Sequence, residues 1–202
     1  MTRNTTGLPM NPRSGHPYVF DPGALSLELL VTGGPGAYAV HESLHEPRDL
    51  ADWLALFRLR LDPELVAVSE TELTAARTLR DALWRVVLAH LDGRPLPPDD
   101  VAGVNRAAAR APLAPEMSPE GERAWSLPAD ATAALSTIAR DAVDLFTGPL
   151  ADRIRECGSR DCRLVFVDTS RPGRRRWCSM ERCGNRQKVR ALRARRETED
   201  PS

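Results

Sequence analysis

The residues with the plainest chemistry in this sequence are its cysteines. There are four, Cys157, Cys162, Cys178 and Cys183, in two pairs with four residues inside each pair and fifteen between the pairs. Two short loops that each offer two thiolates, closed by a segment that folds back, build a tetrahedral four-sulfur site. That donor set suits Zn2+. Four thiolates also fill the coordination sphere, so the expected ion is structural, with no open position for a hydrolytic water. Two disulfides, a redox pair or an iron–sulfur cluster would use the same residues, but two equal pairs around a foldback favour zinc.

The pairs lie in the strongly basic stretch of the chain. Residues 153–196 hold 15 Lys and Arg against 4 Asp and Glu, a net +11, whereas residues 1–152 carry −8 and the last six residues −3. A zinc ion with its four thiolates would leave this module near +9. The whole-chain charge of zero hides that segregation. A cationic end on an acidic body is the electrostatic footprint of a polyanion binder, with nucleic acid as the leading candidate. Arg182, Arg186, Arg190 and Arg193 recur at helical spacing, and Arg174, Arg175 and Arg176 form a second cationic run beside Lys188. These eight residues are the expected DNA contacts, chiefly to phosphates. Asn185 is of a type that reads adenine, or braces the metal loop. Arginine outnumbers lysine 27 to 1, so arginine abundance by itself is not a functional signal.

The elements that must position these residues are short. Residues 164–168, Leu-Val-Phe-Val-Asp, read as a strand. Arg171-Pro172-Gly173-Arg174 reads as a type II turn, and a return through residues 174–177 would close a hairpin. Ser179 stands where it can cap a helix reaching to residue 196, with Cys183 in its first turns and Val189 and Leu192 packing inward. Trp177 reads as a lid over the metal. A knuckle, a hairpin and a helix donating the last two ligands describe a treble-clef zinc finger.

The rest is mainly α. Residues 1–22 read as a flexible leader, followed by a helical domain over 23–152, the finger over 153–196 and a tail over 197–202. Pro47, Leu50, Trp53, Leu54 and Phe57 outline one helix. Ser69 with Glu72 forms a capping box for the next, whose apolar stripe runs through Leu73, Ala76, Leu83 and Val87 to a stop at Gly93. Further helices are expected over residues 99–110 and 130–146, with a loop or weak hairpin between them that ends in Trp125. The type of the apolar segment 24–32 is open. No apolar run is long enough for a membrane span, and the first seventeen residues lack the apolar core of a secretory signal, so the expected compartment is the cytoplasm.

The run Phe166-x-Asp168-x-Ser170-Arg171, then Arg175-Arg176-Trp177-Cys178-Ser179-Met180-x-x-Cys183-Gly184-Asn185-Arg186-x-Lys188, resembles the CGNR zinc-finger family. Glu46-Pro47-x-Asp49-Leu50-Ala51-x-Trp53-Leu54 resembles the N-terminal helical domain, called ABATE, that members of that family carry. The resemblance implies a stress-induced transcription regulator. Where that family has an Asn-Thr dipeptide, this chain has Val31-Thr32-Gly33. The expectation is a zinc-dependent, DNA-binding transcriptional regulator whose finger docks on DNA and whose helical domain senses a ligand or partner. An RNA- or protein-interaction module using the same basic face is the alternative. A remote one is a zinc hydrolase at His41 and His45, because His41-Glu42-Ser43-Leu44-His45 spells the zincin pattern. The glycine-rich break before it and Pro47 after it oppose the helix that pattern needs, so the chain is expected not to be an enzyme.

Overall fold

The computed structural model describes residues 7–10, 16–56 and 58–199, without the side chains of 193–199. Phe57 and the side chain of Arg193 therefore lie outside the described residues. The chain divides into two compact units: Ala24–Asp152, and a unit in which the segment up to Gly23 joins the segment from Arg153 onward.

The first unit is helical. It contains α1 (Leu25–Leu29), which runs on as a 3-10 turn Leu30–Thr32, then a 3-10 segment Gly36–His41, α2 (Pro47–Leu56), α3 (Glu70–Leu91), α4 (Pro98–Ala108) and α5 (Ala131–Thr147). The boundaries of α3 follow from its caps. The Ser69 hydroxyl accepts from the Glu72 N–H, and the Glu72 carboxylate accepts from the Ser69 N–H at 2.9 Å. The free oxygen of Glu72 accepts from the N–H and hydroxyl of Thr132, both at 3.0 Å, so one side chain ties the starts of α3 and α5. At the other end Gly93, at φ +64°, donates to His90 O while Arg94 N donates to Ala89 O, the pair of bonds of a Schellman motif. Leu73, Ala76, Leu83 and Val87 are buried, as their spacing requires. Residues 111–129 form the hairpin β4 (Pro115–Met117) with β5 (Arg123–Trp125). A two-residue parallel bridge joins β3 (Val66–Ala67) to β6 (Ala129–Asp130).

A polar cluster is buried in this unit. Arg80, 2% exposed, donates to both carboxylate oxygens of Glu42 at 2.8 and 2.7 Å. Trp84 Nε1 donates to Gly33 O at 2.7 Å, and the Tyr38 ring stacks on Trp84 with centroids 3.8 Å apart. Gly34, at φ +154°, is forced by that packing: a Cβ there would lie 2.4 Å from Trp84 Nε1.

The second unit corrects three expectations. The segment read as a flexible leader contains a hairpin of β1 (Leu8–Met10) and β2 (Tyr18–Phe20), in which Leu8, Tyr18 and Phe20 are buried. Pro22 O then accepts from Val167 N at 2.8 Å, and Gly23, at φ +83°, passes so close to Val167 that a Cβ would lie 3.2 Å from its Cβ. The finger hairpin also has different strands from those expected. The strand Val165–Val167 (β8) pairs antiparallel with Ile154–Glu156 (β7), so the first cysteine pair sits in the turn between them. Residues 174–177 form no strand, and the turn closes one residue early, with Gly173 N donating to Ser170 O at 3.1 Å. Finally, Ser179 makes no side-chain cap. The chain enters a π-helical turn, Met180–Gly184, with Gly184 N bonded to Ser179 O, before α6 (Asn185–Glu199) begins.

Candidate metal centre and nucleic-acid interface

The four sulfurs converge. All four Sγ atoms lie within 4.8 Å of one another, with Cys162 to Cys178 at 3.7 Å and Cys178 to Cys183 at 3.5 Å. A tetrahedral ion with Zn–S bonds of about 2.3 Å sets its sulfurs roughly 3.8 Å apart, so the donor set fits zinc. Among the described residues this is the sole grouping of three or more His, Cys, Asp and Glu side chains suited to a metal. The β7–β8 turn presents Cys157 and Cys162, residue 178 ends the returning loop, and the π-helical turn brings Cys183 inward. The extra residue in that turn lets Cys178 and Cys183, five apart, face the same point.

The crowding of these thiols shows in their acidity. Hydrogen bonds from Cys162 and then Cys178 hold the Cys157 thiol far below its ordinary value. The bonds made to Cys157 push Cys162 and Cys178 up. Such a cluster cannot hold four negative charges by itself; a divalent cation supplies the compensating charge, and metal binding releases the protons. The Cys178 N–H also donates to Cys157 Sγ at 3.4 Å, a bond that favours the thiolate. Trp177 lies against both glycines that flank the cysteines. A Cβ on Gly158 would lie 3.3 Å from its ring and one on Gly184 3.4 Å from it.

A second hub holds the loop that leads to Cys178. Asp168, fully buried, accepts from Ser170 N and Oγ through one oxygen and from Arg175 N through the other. Burial alone would raise its carboxyl; those three bonds outweigh it and hold the group below the ordinary carboxylate range. Arg153 Nη1 donates to the carbonyls of Asp168 and Ser170 from the far side.

Seven of the eight cationic residues have described side chains, and they divide into two sets. Arg175 turns inward: its guanidinium sits 4.1 Å over the Phe166 ring and donates to the carbonyls of Asp21, Trp177 and Cys178. Desolvation lowers its pKa accordingly. Arg182 donates to Tyr18 Oη at 2.9 Å, with its guanidinium over that ring. Both are braces, contrary to the expected phosphate role. Arg190 pairs with Asp161 of the cysteine knuckle, and Arg186 is half-buried. Of the arginine row, Arg182 and Arg190 are therefore paired within the finger unit, and the π turn sets Arg182 off the helical register of Arg186 and Arg190. Arg174, Arg176 and Lys188 are exposed. Val189 and Leu192, expected to pack inward, are 48% and 50% exposed.

The zincin string takes no such form. His41 ends a 3-10 segment, residues 42–45 are not helical, and both histidines are exposed. Glu42, which a protease would use as its base, is held by Arg80 and by the N–H of Leu44.

Two family models match the chain. One, described as "Putative stress-induced transcription regulator" and named ABATE, matches residues 23–149. The other, the CGNR zinc finger, matches residues 153–196. No curated protein matches. The ABATE match covers more than half of the sequence, so the chain belongs to the ABATE family and carries a CGNR zinc finger, which makes it a regulatory, zinc-binding protein. Residues 7–10 and 16–22 precede both matches, and no signal in the sequence announces their part in the finger unit.

Proposed function

We propose that this regulator is a DNA-binding transcription factor of the cytoplasm whose treble-clef finger docks on duplex DNA and whose helical domain senses a ligand or partner. The observation that carries the reading is the coincidence of the four-sulfur cluster with the +11 segment. Cys157, Cys162, Cys178 and Cys183 would hold the zinc. The ion supplies no reaction here; it fixes the knuckle against the π turn in a module too small to be held by apolar burial alone. Arg174 and Arg176, on the exposed loop beside the knuckle, then meet phosphates, with Arg186 at their edge, and Lys188 on α6 faces the duplex. Arg190 joins them by exchanging Asp161 for a phosphate.

The same features support a non-enzymatic role. Four thiolates leave no coordination site for water, and Glu42 is committed to Arg80. No described helix is long and apolar enough to cross a membrane. Genome-wide occupancy mapping of the tagged full chain tests the proposal. Discrete occupied sites that vanish in a Cys178→Ser variant are expected. Uniform background in both, or crosslinking confined to RNA, would contradict it.

A further inference from the structure

We propose that the outward face of α6, made of Asn185, Lys188, Val189 and Leu192, reads base edges in the major groove. The inference rests on the DNA-binding reading above and adds which residues give it sequence preference. These four stand at i, i+3, i+4 and i+7, so they form one stripe of the helix. All four are exposed. The opposite side of α6 is already occupied: Gln187 Nε2 lies 3.4 Å from Ser159 Oγ, and Arg190 is paired with Asp161. The knuckle thus fixes which side of the helix faces away from the finger.

The composition of that side is not that of a solvated helix. Two aliphatic side chains about half exposed follow an amide and an ammonium along one stripe, in a segment otherwise crowded with cations. Each member has a partner on a base edge: the Asn amide with adenine N6 and N7, the Lys ammonium with guanine O6 and N7, the aliphatic carbons with the thymine methyl. The Asn185 amide makes one long contact, 3.5 Å to Glu181 O, and is otherwise free to turn outward. A helix about 10–12 Å across with its side chains matches a major groove roughly 12 Å wide. The exposed cations at Arg174 and Arg176 would hold the flanking phosphates. Charge decides against a second copy as occupant, since pairing this face with itself would oppose two strongly basic helices.

The test is selection from a duplex library with a randomised 20-base-pair segment (about two helical turns), using zinc-loaded full chain, Asn185→Ala, Lys188→Ala and the pair Val189→Ala with Leu192→Ala. Zinc content and helicity are checked on each preparation, and the exposure of all four positions leaves the fold intact. Wild type should enrich a motif. Each variant should lose about tenfold in preference at its own subset of positions, more than it loses on a scrambled duplex. Variants that enrich the same motif with undiminished preference would overturn the inference and leave DNA binding standing, as would wild-type binding with no motif at all. A dimer that becomes a monomer in the aliphatic pair, with preference unchanged, would assign the stripe to protein contact instead. Absence of any salt-sensitive binding by wild type would remove the DNA reading itself, and this inference with it.

Discussion

Two arginines one position apart stand in opposite environments. Arg174 is exposed, while Arg175 braces Phe166, Asp21 and the carbonyl of Cys178. Arg175→Ala should therefore lower finger stability by about 1–3 kcal/mol, because the carbonyls it serves lose a charged donor. Arg174→Ala should leave stability within about 0.5 kcal/mol and weaken DNA binding instead. Thermal unfolding of both variants beside wild type separates the roles; equal destabilisation would contradict them. Glu42 makes a pH prediction. Burial pushes its carboxyl up, but the Arg80 guanidinium, the Leu44 N–H and the nearby Arg77 charge pull it down further, so the folded pKa lies below the ordinary value. Its contribution is then present at neutral pH and lost as pH falls through the folded value. Glu42→Gln should cost about 1–3 kcal/mol at pH 7, a deficit that shrinks below about pH 4. A deficit that does not change with pH would contradict the ion-pair account.

At the scale of elements, the finger is assembled from both ends of the chain. Tyr18, Asp21 and Pro22 supply an acceptor each to Arg182, Arg175 and Val167. A finger cut at residue 153 would lack all three. Phe20, fully buried in the hairpin, should cost about 3–5 kcal/mol when replaced by Ala, read as a lower temperature of zinc release and unfolding in the full chain. An unchanged transition would mean that the hairpin is only draped there. The helices were legible because their signals are local: the Ser69–Glu72 box, the stripe from Leu73 to Val87 and the Gly93 stop all lie within one segment. The cysteine cluster was legible for the same reason, as a spacing. The N-terminal hairpin was not, since three-residue strands with proline nearby give no periodicity and the finger residues that Tyr18, Asp21 and Pro22 bond lie more than 140 residues away. The orientation of the arginine row was also hidden. It depends on the π turn at Met180–Gly184, which no propensity announces.

Across the whole molecule, charge and metal are the two quantities that the proposal joins. Residues 1–152 carry −8 against the +11 of residues 153–196, and on this proposal the zinc keeps Arg174, Arg176 and Lys188 in one arrangement. Cys178→Ser should lose zinc and finger structure while the α3 to α5 helical signal persists; full zinc content in that variant would refute the ligand set. The most direct measurement is the salt dependence of duplex binding by the zinc-loaded full chain, repeated with Arg174→Ala and Arg176→Ala combined. With four to five phosphates neutralised, log K against log salt should fall with a slope of about −4, and the double variant should be shallower by about 2 with its zinc retained. A slope near zero, or one that the double variant leaves unchanged, would contradict the claim that this cationic loop is held by zinc to meet DNA.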